Sequence, residues 1–283
     1  MSTDYRAATL ENLKRRAADM RAQWSKQAPF PYFVVDDFLP ADFAEELLKE
    51  FPPQESSQWT RRTYTHQREK LTMTSGFAPA TDSFFRLSAD PEFLELMSDV
   101  TGIQRILADP ELVGGGLHQI AHGGFLDVHI DFNLHPRTKL HRRMNLLLYL
   151  NKDWRAEYEG KLELWDMEKK RRLESLEPIF NRAILFETNE VSYHGHPMPL
   201  AGPKDLTRKS AAVYYYTETR TVVAAEHNTM YRQTTGIPGY AKTLASSARA
   251  FLERTKSDNA AALATDLVDK AYRRLRGLPP RNG

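Results

Sequence analysis

The 283-residue chain contains no cysteine. That one absence excludes disulfides, zinc thiolate sites, iron–sulfur clusters and thiol nucleophiles, so any metal must be held by histidine and carboxylate. An excess of either charge is also lacking. The 39 basic and 37 acidic residues are well mixed, leaving a formal net charge of +2 and no strong field for nucleic acid or an anionic membrane. No apolar run approaches the length of a membrane span, and residues 1–20 lack the apolar centre of a signal peptide. The expectation is a soluble, cytoplasmic protein with no nucleic-acid or membrane partner. Internal repeats and low-complexity segments are missing as well. The triple glycine Gly114-Gly115-Gly116 is not followed by Lys-Ser/Thr and feeds a strand, so it is no phosphate loop.

With 41% hydrophobic and 11% aromatic residues, the chain has the material for a sizeable core. Leu10, Leu13, Ala17, Met20 and Trp24 recur at steps of three and four between charged residues. This predicts an amphipathic helix that packs on its own domain or forms a dimer seam, ended by Pro29 and Pro31. Residues 32–35 read as a strand. Pro40 opens a helix carrying Phe43, Leu47 and Leu48, which Pro52 and Pro53 close. Residues 54–88 have poor periodicity and read as an irregular surface loop or a lid, with Tyr64, His66 and Arg68 as candidate substrate contacts. Asp90-Pro91 predicts an N-cap and first-turn proline for a helix ending before Gly102.

Beyond the glycines the pattern turns to strands, at residues 117–121, 126–130, 144–150, 161–165, 183–187 and 210–217, with turns rather than helices between them. That spacing predicts an all-β sandwich or barrel. Basic residues at 169–172 fit the tip of a hairpin. Helical spacing returns at 240–253 and 260–276, the latter ending in a basic cluster at 273–276. The chain therefore divides into N-terminal helices and lid (1–112), a β core (113–222) and a C-terminal helical extension (223–283), all of one domain.

Within the β core, His129 and Asp131 are two residues apart on a strand, where side chains alternate faces, so imidazole and carboxylate point the same way. A second stretch, Tyr193-His194-Gly195-His196-Pro197, supplies a further histidine, and Arg208-Lys209-Ser210 opens another strand. A His-x-Asp pair with a distant histidine is the donor set of a 2-His-1-carboxylate iron site, which leaves open positions on the metal. A 2-oxo acid can chelate two of them and O2 take the third. Alternation puts Arg208 and Ser210 on one face, where a guanidinium fork and a hydroxyl suit a distal carboxylate, and Lys209 on the other. An ordinary structural salt bridge is the alternative for Arg208. His118 and His122 fit hydrogen-bonded histidines near the barrel or residues lining the site. His135 and His141, in the loop after the metal pair, are candidate substrate contacts.

These residues, with Gly123-Gly124 before His129, Tyr149-Leu150-Asn151-Lys152-Asp153-Trp154, and Glu177-Pro178-x-Phe180-x-Arg182, make residues 117–217 resemble the Fe(II)/2-oxoglutarate-dependent dioxygenases of the prolyl 4-hydroxylase superfamily. Residues 30–39 resemble the entry strand and helix of bacterial members. The resemblance implies a mainly β fold with flanking helices around a double-stranded β-helix, the cupin-like jelly roll. It implies iron(II) held by His129, Asp131 and His194, with His194 preferred to His196. Arg208, Tyr149 and Ser210 would hold 2-oxoglutarate, with O2 as the other co-substrate and ascorbate as a reductant. Two departures stand out. Glu159-Gly160 replaces a common Gly-Gly, and the gap from His194 to Arg208 is longer than in many relatives. The expected activity is hydroxylation of an unactivated C–H bond in a small-molecule or amino-acid-derived substrate, by a monomer or homodimer. Peptidyl hydroxylation, or a jelly-roll binding domain without turnover, remains the alternative.

Overall fold

The computed structural model describes residues 4–26, 30–64, 66–221 and 224–232. The chain forms two compact units, Met1–Arg232 and Gln233–Gly283. The helices and basic cluster expected after residue 239 fall in the second unit, outside the described residues.

Helix α1 (Tyr5–Lys26) buries Leu10, Leu13, Met20 and Trp24 as its spacing predicts, and it packs on α4 (Pro91–Thr101) and on strand β1 (Tyr32–Val35) of its own chain. α2 (Ala41–Lys49) begins directly after Pro40. The start of α4 is fixed as expected: the Asp90 carboxylate accepts the Glu92 N–H, and Gly102 ends the helix at φ +75°. Apolar side chains of these helices, such as Phe43, Phe93 and Met97, share one core with Leu146, Leu148, Leu185 and Val213 from the sheet. Among the described residues no helix is long and apolar enough to cross a membrane.

Residues 54–88 are not the irregular loop expected. They form a hairpin of β2 (Thr60–Tyr64) and β3 (Gln67–Met73), followed by α3 (Pro79–Ser88). The polar composition misled because β3 is ordered by pairing with a distant strand, β5 (Gly116–Ile130), and not by a buried face of its own. Only Gln67, Leu71 and Met73 of β3 are fully buried.

The remaining strands are β4 (Leu107–Ala108), β6 (His141–Tyr149), β7 (Leu162–Asp166), β8 (Arg171–Leu176), β9 (Arg182–Glu187), β10 (Tyr193–His196), β11 (Arg208–Thr217) and β12 (Met230–Tyr231). All pairings are antiparallel, and the main order is β1-β9-β6-β11-β5-β10-β7-β8. The basic run at 169–172 does lie at the β7–β8 hairpin. Residues 117–121 and 126–130, read as two strands, are one. β5 links two parts of the sheet, pairing with β11 over Gly116–Ile120 and with β10 around Leu126 and His129. Gly123, at φ +74°, lets the strand change direction. At Gly124 an added Cβ would stand 2.5 Å from Ile120 Cγ2 and 2.9 Å from Arg68 O, so no larger residue fits. This curled antiparallel sheet is the expected jelly roll, a mainly β fold with flanking helices.

The candidate iron and 2-oxoglutarate site

β5 and β10 place the metal-ligating candidates. His129 and His194 are direct cross-strand partners, and their rings lie 4.5 Å apart between centroids. Each ring is held through Nδ1 by a backbone carbonyl two residues earlier, His129 at 2.7 Å from Asp127 O and His194 at 2.9 Å from Ser192 O. A carbonyl can only accept, so Nδ1 carries the hydrogen in both rings and each Nε2 presents a lone pair. Those two Nε2 atoms face Asp131, at 3.6 Å from Oδ1 for His129 and 3.4 Å from Oδ2 for His194. Donor atoms of the three residues all lie within 4.8 Å of one another. His196, buried two residues on and paired with Leu126, is not one of the three.

The electrostatics suit metal binding. Burial, then the neighbouring His129, push the His194 pKa down to about 4, so its ring is neutral at ordinary pH. Asp131, with its side chain only 10% exposed, would be pushed up by burial, but Arg142 and the two histidines hold it well below the usual carboxylate range. Neutral imidazole and ionised carboxylate are the forms that ligate a metal. This donor set, with tautomers fixed and no cysteine, fits iron(II) in a 2-His-1-carboxylate site.

Arg208 and Tyr149 meet as expected. Arg208 is 5% exposed; its Nη2 donates to Tyr149 Oη at 3.0 Å and its Nε to Gly160 O at 2.6 Å. Tyr149 accepts there, which leaves its hydroxyl hydrogen for a ligand carboxylate. The backbone under Arg208 is fixed by Asn151, whose Oδ1 accepts the Lys209 N–H at 2.7 Å and whose Nδ2 donates to Lys209 O at 3.0 Å. Ser210 is buried in register between Tyr149 and His118. The Lys209 ammonium turns to Thr207 Oγ1 instead. Among the described residues Arg208 has no carboxylate partner, and its side-chain bonds go to Tyr149 Oη and Gly160 O.

Of the other histidines, His118 is buried with Nε2 3.2 Å from Gly115 O, the ordinary hydrogen-bonded reading. His122 is half-buried on β5. His135, a candidate substrate contact, is 2% exposed. Its buried Nδ1 accepts the N–H groups of Arg137 and Thr138 at 3.3 and 3.1 Å and so holds the turn that follows. His141 lines a cleft of about 290 Å³ with Asn133, Asn189, Glu190 and Arg220. His66 lies 3.2 Å from Asp127 Oδ2 and stacks on Tyr231 at 4.5 Å; Tyr231 in turn lies 5.4 Å from the His129 ring. Arg68 sits on β3 opposite Phe125, and the Tyr64 side chain is outside the described atoms.

Sequence reasoning missed Arg142 and Asn145, which both bond Asp131. Three positions apart on a strand, they should face opposite ways. The β6–β11 register shifts between Tyr215 and Tyr216, which pair with Met144 and Arg142, so Arg143 is bulged out and Arg142 joins the face of Asn145.

The chain matches the family model of the 2OG-Fe(II) oxygenase superfamily over residues 115–216, the stretch that holds the triad, Tyr149 and Arg208. Among solved structures it is similar to a prolyl-4-hydroxylase of Pseudomonas putida, at TM-score 0.51 and 18% identity over 70% of this chain and 98% of that one. A prolyl hydroxylase from Trichoplax adhaerens, in complex with a hypoxia inducible factor peptide fragment, gives 0.53 and 18% over 74% and 92%. A prolyl 4-hydroxylase of Phytophthora capsici gives 0.54 and 17% over 77% and 67%. At such identities the likeness is one of fold. No curated protein matches the chain by sequence.

Proposed function

We propose that His129, Asp131 and His194 hold iron(II), that Arg208 and Tyr149 hold the distal carboxylate of 2-oxoglutarate, and that the enzyme hydroxylates an unactivated C–H bond of a small, polar or amino-acid-derived molecule. The observation that carries the site is the pair of facing imidazoles, both with Nδ1 on a carbonyl and Nε2 toward one carboxylate. Iron supplies the activation of O2, with succinate and CO2 as co-products. The chain's own residues orient the co-substrate. The buried Arg208 fork offers charge-assisted bonds to one carboxylate, and Tyr149 offers a hydroxyl hydrogen beside it.

The substrate class is supported by a cleft built mainly from residues that follow Asp131 and precede His194 in the chain. Asn133 after Asp131, His141 at the start of β6, Asn189, Glu190 and Val191 before His194, and Arg220 and Ala224 line the 290 Å³ cleft. Its polar and charged groups suit a compact molecule with hydrogen-bonding functions. Ascorbate as reductant, a monomeric or dimeric state and a cytoplasmic location belong to the same proposal.

The test is anaerobic loading of the full-length protein with Fe(II) and 2-oxoglutarate. O2 exposure then follows with a panel of free amino acids, hydroxylatable small molecules and proline-containing peptides. Succinate release coupled to hydroxylation of a small molecule supports the reading. Coupled turnover with peptides alone overturns the substrate class. Absence of the visible charge-transfer band on anaerobic loading overturns the site.

A further inference from the structure

Arg142 is 1% exposed, and a buried guanidinium is costly unless its charge is paired and its N–H groups are used. Its pairing is with the carboxylate of Asp131: Nη2 lies 3.0 Å from Oδ2. The same oxygen accepts from Asn145 Nδ2 at 2.8 Å, while Asn145 Oδ1 accepts from Arg142 Nε at 3.0 Å and Nη2 at 2.8 Å. Because Oδ1 of Asn145 is committed to the arginine, its amide can turn only its NH2 to Asp131. The ring of bonds is closed, and its plane is set by stacking. The guanidinium carbon lies 3.5 Å from the centre of the Tyr214 ring and 4.6 Å from that of Phe132.

We infer that Arg142, with Asn145, is a positioning pair that confines Asp131 to ligation through a single oxygen, Oδ1. This rests on the reading of Asp131 as a metal ligand. With Oδ2 engaged by two donors, only Oδ1 has lone pairs to spare. A carboxylate free to rotate could chelate through both oxygens and occupy a position that 2-oxoglutarate or O2 requires. Lysine could not replace the arginine. It offers a point charge without the planar fork that serves Asn145 and Asp131 together and stacks on Tyr214.

The test uses Co(II) in the full-length protein, followed by visible absorption, with 2-oxoglutarate titrated into the Co(II) form. Arg142→Met and Asn145→Leu, each checked for cooperative unfolding, are expected to keep Co(II) affinity within about tenfold of wild type, the lower edge of the usual effect of a ligand's supporting residues. Their absorption bands should change shape, and 2-oxoglutarate should bind at least tenfold more weakly. Arg142→Lys should fall between them and wild type. If Arg142→Met does not fold, Asn145→Leu alone decides, since it removes one donor to Oδ2 and the amide oxygen that accepts two N–H bonds from the arginine. Bands and 2-oxoglutarate affinity within twofold of wild type in the folded variants overturn the inference. So does complete loss of Co(II), because the pair would then serve affinity and not the mode of ligation. Asp131→Ala separates this from the underlying reading: if that variant binds Co(II) as wild type does, the metal site itself is wrong.

Discussion

His129 and His194 face each other across β5 and β10, each ring pinned through Nδ1 to the carbonyl two residues before it in its own strand. The symmetry makes both Nε2 atoms acceptors before any metal arrives, so little reorganisation is needed on binding. Gly195 belongs to the same arrangement. A Cβ there would stand 2.9 Å from both Leu126 O and Asp127 O, so the strands could not approach as closely.

The two histidines of β10 are separable by experiment. His194→Ala is expected to lose iron and the visible band of the anaerobic 2-oxoglutarate complex, and Asp131→Ala likewise. His196→Ala should keep both. Retention by His194→Ala together with loss by His196→Ala would reverse the assignment.

Arg208→Ala is expected to raise the 2-oxoglutarate requirement at least tenfold, since bonds to a charged group are worth about 1.5–3 kcal/mol. Tyr149→Phe removes one neutral hydroxyl and should cost about twofold to tenfold. Iron affinity should barely move in either. Titration of the co-substrate in both variants checks this, and a wild-type curve for Arg208→Ala would move the anchor elsewhere.

Gly160 carries the carbonyl that holds Arg208 Nε, at φ +69°, and an added Cβ would stand 2.4 Å from Leu200 Cδ2 and 3.1 Å from Arg208 Cδ. Gly160→Ala is therefore expected to weaken 2-oxoglutarate binding and lower the melting temperature together. The residue before it, Glu159, sits at φ 59° and ψ −146°, a region that suits glycine. Glu159→Gly should stabilise the protein by about 1 kcal/mol, the relieved strain less the entropy glycine loses. A melting temperature at or below wild type would show that Glu159 is not strained.

Burial, then the charge of Lys70, hold the His118 pKa well below that of an ordinary histidine. The unfolded chain thus binds this proton more readily than the folded one. The stability contribution is complete above the unfolded pKa of about 6.5 and is lost as pH falls toward the folded value. His118→Gln should flatten the fall in unfolding free energy as pH drops below about 6.5. An unchanged slope in urea titrations across that window would assign the loss to other groups.

What the sequence determined by itself was what local periodicity and residue chemistry encode. Without cysteine, a metal had to rest on histidine and carboxylate. The two-residue period put His129 and Asp131 on one face, and the Tyr149 and Arg208 motifs marked two residues that the fold brings together. Caps and prolines bounded α2 and α4 because those signals act within one turn. Only the tertiary structure decided the rest. β3 exists because β5 offers it a partner across some fifty positions of chain, which no local pattern records, and β2 folds back on β3. His194 was separated from His196 by its register against His129, since residues two apart share a face. Arg142 reached Asp131 only because a bulge at Arg143 broke the alternation of β6, a shift set by its pairing with β11. Long-range register is a property of two strands together, and so it cannot be read from either one alone.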